Sequence, residues 1–304
     1  MFADLAHYIY RRFLQVLCVI SPDLNNRVAY FVKNKRLLRL HNPRSFSEKL
    51  IFLKLKCYNH DPVVRMCADK YAVRAYITKS GFQRYLNDLL YVYDDADSID
   101  FYALPQRFVL KWNFGAGYNI ICPDKDELDI AEVKKQLKKW GKEKYHLYNG
   151  ELQYKGIRKK IICERFLGDN GGTVPDDYKL YCFNGKVKAI FVMSGRGKEL
   201  RTMFLSPEWE TLGNTDKYKQ LERIRKPKCL SEMIEFAESI SERFPFVRVD
   251  LFVIEDKIYF GELTFTPAGG IYASEMEIDG KSMGDLLDIQ RELKHVRSRK
   301  NERT

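Results

Sequence analysis

Residues 246–265, FVRVDLFVIEDKIYFGELTF, hold two alternating runs of β-branched and aromatic residues around a short polar break, a pattern that fits one local fold, an antiparallel hairpin. With Glu255, Asp256 and Lys257 as the turn, Ile254 pairs with Ile258, Phe252 with Phe260, Asp250 with Glu262 and Arg248 with Thr264. Side chains directly opposite one another sit about 5 Å apart on one face, where two carboxylates repel by on the order of 3 kcal/mol at an effective dielectric near 20. Something must offset that repulsion. Mg2+ does so with one or two carboxylates, completing its shell with water and phosphate oxygens. Asp250 and Glu262 are therefore candidate metal ligands, and Arg248 beside them is a candidate catalytic clamp on a phosphoryl or acyl-phosphate group. An ordinary salt bridge among Arg248, Asp250 and Glu262 is the competing reading, and a slip of one residue would set the two acids on opposite faces.

Turn chemistry organises the rest of the chain in the same way. Asn184-Gly185 between DYKLYCF and KVKAIFVMS signals a second hairpin. RFVLKW and NIIC flank a glycine-bearing loop, and KKIICERFL reads as a further buried strand. Ser45 with Glu48 forms a capping box opening FSEKLIFLKLKCY, and PVVRMCADKYAVRAYITKSG reads as the next helical stretch, stopped by Gly81. Asp129 and Glu132 cap a helix whose Ile130, Val133, Leu137 and Trp140 recur at helical spacing; SEMIEFAESISERF is amphipathic. Strands and helices joined mostly by antiparallel connections place the chain in the α+β (mixed α/β) class.

With 304 residues, 45% hydrophobic and 13% aromatic, the chain has material for a sizeable core. Its net charge of +11 predicts an anionic partner. No zinc-finger spacing, helix-turn-helix cue or RNP-like signature is present, which argues against nucleic acid and leaves nucleotide phosphates, an acidic polysaccharide or an anionic membrane face. Seven cysteines without a CxxC pair read as reduced thiols of a cytoplasmic protein, and the five histidines form no metal-spaced cluster. Arg11 and Arg12 interrupt the apolar N-terminus, and the apolar run beyond them falls short of the roughly 20 residues a span requires. This segment reads as a helix docked on the body, with an interfacial anchor as the alternative.

In VLKWNFGAGYNIIC, Gly115 and Gly117 let backbone approach phosphates closely and Lys111 on the incoming strand can reach the same anion. The spacing is neither a Walker loop nor a dinucleotide fingerprint, and alone it reads more readily as a hairpin turn. The ordered set CADKYAVR, FVLKWNFGAGYNIIC, IICERFLGD, DYKLYCFNGK, FPFVRVDLFV and IYFGELTFTPAGG, however, resembles the TupA-like branch of the ATP-grasp superfamily over about residues 42–270. The resemblance implies an ATP-grasp fold, with antiparallel sheets in two lobes enclosing a nucleotide cleft. The expected divisions are an N-terminal helical extension (1–44), a helical segment (45–105), a small lobe with the glycine loop (106–165), a large lobe with the metal carboxylates (166–272) and a C-terminal helix with a basic tail (273–304).

Position by position, Lys111 resembles the lysine on the nucleotide phosphates, and Gly115 with Gly117 the lid over them. Glu164 resembles the interlobe residue that meets adenine and ribose, with Arg165, Phe166 and Leu167 beside it. Lys179 resembles a basic catalytic residue facing the phosphates, and Asp250 and Glu262 match the metal carboxylates. The family ending is Glu, any residue, Asn; here the third position is Thr264, a poorer ligand. Lys70, Arg74 and Arg196 read as solvated surface.

ATP and Mg2+ are the implied cofactors, and the implied reaction is carboxylate attack on the γ-phosphate followed by amine attack on the acyl phosphate. The family's association with surface polysaccharide suggests an amino acid or amine joined to a uronic acid of an acidic glycan; the expected location is the cytoplasm, with the inner face of the membrane as the alternative. Two rivals stand beside this: a glycosyltransferase using VRVDLF as a metal-binding acidic element, and a non-catalytic nucleotide-binding scaffold at the membrane.

Overall fold

A computed structural model describes residues 2–168, 174–195, 200–212, 224–273 and 275–301; Arg196 lies outside them. The helices that begin at Pro22, Phe46, Pro62, Ile130 and Met283 each open on a capping residue. After α1 (Phe2–Ile20), α2 (Pro22–Asn34) opens with Ser21 accepting from the Leu24 amide. α3 (Phe46–Lys56) opens on the expected capping box, with the Ser45 hydroxyl accepting from the Glu48 amide at 3.2 Å and a Glu48 carboxylate oxygen from the Ser45 amide at 3.3 Å. Leu50, Ile51 and Leu53 are fully buried, so α3 runs through the core; its Phe46 ring lies 5.0 Å from Phe246 and 5.5 Å from Phe183.

The helical stretch expected across residues 62–81 is two helices, α4 (Pro62–Ala68) and α5 (Val73–Lys79). Asp69 takes the amides of Tyr71 (2.8 Å) and Ala72 (3.1 Å) on its carboxylate, and the Lys70 amide donates to Asn113 O at 2.8 Å. These donors are claimed from outside the helical ladder, which stops. The break also frees Lys70 and Arg74 to point between the two sheets.

The smaller sheet contains β1 (Leu89–Tyr93), β2 (Phe108–Trp112), β3 (Asn119–Cys122) and β4 (Ile161–Arg165) in the antiparallel order β1-β4-β2-β3, covered by α6 (Ile130–Gly141). Its own core includes Phe108, Leu110, Leu137 and Cys163, and also Ala96, Ile99, Phe101 and Leu104. This lobe thus draws in chain well upstream of position 106.

The larger sheet orders β5 (Asp177–Phe183), β6 (Lys186–Ser194), β7 (Arg201–Leu205), β8 (Phe246–Ile254) and β9 (Lys257–Thr264) as β7-β6-β5-β8-β9, all antiparallel. Asn184 (φ 49) and Gly185 (φ 76) make the expected β5 to β6 turn. One face packs against α7 (Leu230–Ser241), through Phe236, Ala237 and Ile240; the other carries a cluster of charged residues. α8 (Met283–Leu286) and α9 (Gln290–Asn301) close the chain.

The β8 to β9 hairpin differs from the sequence expectation near its turn. Ile254 pairs with Lys257, Val253 with Ile258, Phe252 with Tyr259 and Leu251 with Phe260. The turn is therefore two residues, Glu255 (φ 49) and Asp256 (φ 61), both left-handed as a twist-matched hairpin turn requires. A bulge at Gly261 inserts one residue and restores Asp250 opposite Glu262 and Arg248 opposite Thr264.

Candidate active site

On the large sheet, Lys179 pairs with Asp250 across β5 and β8, and Asp250 with Glu262 across β8 and β9, so the three share a face. Asp250 is 3% exposed. It accepts two bonds from Arg248, from Nε and from Nη2, each at 2.6 Å, and one from Lys179 Nζ at 2.9 Å. Lys179 also donates to Asp177 at 2.7 Å. Arg248 Nη2 reaches the Thr264 hydroxyl at 3.1 Å and stands 4.0 Å from Glu262. Burial works against the charges of Lys179 and Arg248, but the neighbouring acids together outweigh it, Asp250 with Asp177 at Lys179 and Asp250 with Tyr181 and Glu262 at Arg248, and hold both cations above their ordinary values.

On the small sheet, Lys111 Nζ donates to Glu164 at 2.7 Å, and Arg74 Nη1 approaches the other Glu164 oxygen at 3.4 Å. The Glu164 carboxylate is thereby held between Lys111 and Arg74. Arg165 turns to the surface, where its Nε meets Asp88 at 3.1 Å, and its carbonyl accepts from Asn87 at 2.8 Å. Phe166 is buried under the Arg107 guanidinium, 4.4 Å from the ring centroid, and Leu167 is half-buried. Gly115 (φ 68) and Gly117 (φ 79) lie in the β2 to β3 loop in the left-handed region. A Cβ at 115 would strike Tyr145 at 2.7 Å, whereas at 117 it would meet nothing within 4 Å, so the open part of the loop is at Gly117.

Lys70 joins the two clusters. Its Nζ donates to Gly115 O at 2.5 Å and lies 3.3 Å from Glu262, while Arg74, one turn on, reaches Glu164. Contacts through Lys70 therefore link the glycine loop to the paired carboxylates, and Arg74 reaches the Glu164 that holds Lys111. Sequence reading missed Lys70, Arg74 and Asp177 as parts of this site. The signal available was the i, i+4 spacing in DKYAVR, which a helix continuing past Asp69 would have spread along an exposed face.

Lys70, Lys179 and Arg248 face Asp177, Asp250 and Glu262, so the repulsion expected between the two opposed acids is offset by cations in this arrangement. Among the described residues no group of three or more His, Cys, Asp or Glu side chains converges to hold a metal by itself. Two neighbouring carboxylates are nevertheless the donor set that Mg2+ takes when phosphate oxygens fill the remainder of its shell, and Asp250 with Glu262 fits it.

Burial alone would raise the Glu262 carboxyl, but Lys70, Arg248 and Lys179 bring it down to about 2. Because the folded value lies below the ordinary 4.5, its contribution to stability is complete above about pH 4.5 and is lost as pH falls toward 2. The thermal midpoint should therefore drop across that window, and less steeply in Glu262→Gln; equal slopes in the two proteins would refute the assignment.

The family model described as TupA-like ATPgrasp matches residues 48–288. No curated protein is significantly similar in sequence. Among solved structures, D-alanine--D-alanine ligase from Bacillus anthracis complexed with ATP is 15% identical with a TM-score of 0.42, covering 66% of this chain and 55% of that one. D-Alanine-D-alanine ligase from Helicobacter pylori is 17% identical (TM-score 0.38; 68% and 56%). The ADP complex of the N5-carboxyaminoimidazole ribonucleotide synthetase purK is 15% identical (TM-score 0.40; 66% and 45%). The chain thus spans about half the length of these proteins.

Proposed function

The chain belongs to the TupA-like ATP-grasp family, and from that premise we propose an ATP- and Mg2+-dependent ligase that joins a carboxylate to an amine through an acyl phosphate. The observation that carries this reading is the pairing of Asp250 with Glu262 beside Lys179 and Arg248, linked to the glycine loop through Lys70.

In this reading Lys111 binds the nucleotide phosphates, with Glu164 as the group that positions it, and the backbone around Gly117 covers them. Asp250 and Glu262 would hold Mg2+, which when bound neutralises charge on the phosphate oxygens. Lys179 and Arg248 then exchange Asp250 for the transferring phosphoryl group, where fixed cations stabilise the developing charge. A substrate carboxylate oxygen attacks the γ-phosphorus, the bond to the bridging oxygen breaks and ADP leaves. An amine nitrogen attacks the acyl carbon, inorganic phosphate departs and the nitrogen gives up a proton, leaving an amide. No nucleophilic side chain is required; positioning and electrostatics do the catalysis.

For the acceptor we favour a uronic acid of a bacterial surface polysaccharide, with an amino acid or amine as the second substrate. The association of the TupA-like branch with such polymers supports this, and the net charge of +11 suits a polyanionic glycan. We place the reaction on the cytoplasmic side of the membrane, where ATP is supplied.

Thermal unfolding separates the readings. MgATP at a hundred times its dissociation constant should stabilise the protein by about 2.7 kcal/mol, whereas Mg2+ alone should do little because the site needs phosphate oxygens. Stabilisation by UDP-sugars instead of MgATP would favour a glycosyltransferase, and stabilisation by neither a non-catalytic scaffold. ADP release against pooled amino acids and uronic acid glycans then identifies the substrates.

A further inference from the structure

Helix α1 has a face that the body does not cover. Leu14, Leu17 and Cys18 are buried, while Ile9, Phe13, Val16 and Ile20 line the opposite side at helical spacing, 57%, 48%, 58% and 70% exposed. An apolar run of this kind marks an interaction surface. Arg11 lies 4.2 Å from the ring centroid of Tyr148 and ties the helix to the body, so whatever binds the stripe also orients the cleft.

The charge of the N-terminal segment that carries the stripe is one-sided. Residues 1–44 hold eight Lys and Arg against two Asp, more than half of the chain's net +11. All eight cations are exposed, and Asp23 is tied to Lys56 at 3.0 Å. A second copy seated on this hairpin would bring like charges together, and nucleic acid has no use for an aliphatic stripe. Among the described residues no helix is long and apolar enough to cross a membrane, and one side of α1 is already committed to the protein core.

We propose that the α1 and α2 hairpin docks the protein on an anionic phospholipid bilayer. Ile9, Phe13, Val16 and Ile20 enter the boundary between headgroups and acyl chains, and exposed Lys and Arg residues of the same segment meet the lipid phosphates. The proposal stands apart from the chemistry in the cleft and survives if the substrates prove different.

The test uses the full chain and sedimentation with vesicles of phosphatidylcholine mixed with phosphatidylglycerol. The protein should sediment with them, less as salt rises, and not with pure phosphatidylcholine. Val16→Gln with Ile20→Gln should lose at least about tenfold in partitioning with an unchanged thermal midpoint and MgATP response. In Phe13→Trp, the added indole fluorescence should be quenched by lipids brominated on their acyl chains. The proposal is overturned if the parent does not sediment, if the double variant sediments equally, if the added indole is not quenched, or if the parent is a dimer that the double substitution dissociates.

Discussion

Replacing Asp250 by asparagine is expected to lower ADP release by about a thousandfold or more and, unlike an ordinary ligand substitution, to cost the fold about 3 kcal/mol as well. The second effect arises from where the charge sits. Asp250 is 3% exposed and receives both nitrogens of the Arg248 fork together with Lys179. Removing one partner of a buried pair typically costs about 3–5 kcal/mol, because the charges left behind keep their desolvation penalty. Asp177 still holds Lys179 at 2.7 Å and Glu262 stands 4.0 Å from Arg248, which puts the expected cost at the lower end. Denaturant unfolding would show the loss as a lower midpoint with an unchanged slope. Turnover at the parent rate in this variant would defeat the metal assignment; lost turnover with unchanged stability would mean that Arg248 and Lys179 find new partners.

Much of this arrangement was legible because it depends on short-range chemistry. The capping box at Ser45 and Glu48, the Asn184-Gly185 turn and the strands around the glycine loop all announce themselves within a few residues, and the structure places each as expected. What escaped depends on partners distant in sequence. Leu89–Tyr93 is an apolar and aromatic run without alternation, and only its pairing with β4 makes it a strand of the small lobe. Lys70 and Arg74 look like one face of a continuing helix until Asp69 captures the amides of Tyr71 and Ala72 and Asn113 captures that of Lys70. The acid at Glu164 was visible, but its commitment to Lys111 and Arg74 was not, since the three meet only when β2, β4 and α5 are assembled.

The β8 to β9 hairpin is the instructive case, because two departures from the expected register cancel. A two-residue turn shifts every pair near the tip by one, and the bulge at Gly261 shifts the pairing back before Glu262. The side-chain period of a strand is two, so without the bulge Glu262 would face the core rather than the cleft. Gly261 is where this correction is made. A Cβ there would lie 2.9 Å from the Asp250 carbonyl oxygen and 3.2 Å from Phe252, and the nearer atom is backbone that cannot move without disturbing Asp250 itself. Gly261→Val is therefore expected to destabilise the protein by about 1–3 kcal/mol through overpacking. The hairpin can relieve the clash by surrendering the bulge, which carries Glu262 away from Asp250, so ADP release should fall by about a hundredfold or more and the MgATP-induced rise in thermal midpoint should shrink with it. Measuring both in the same variant ties the outcome to register. If the valine protein keeps full turnover and full MgATP stabilisation, the bulge does not set the carboxylate pair, and the geometric basis for placing the metal between residues 250 and 262 fails.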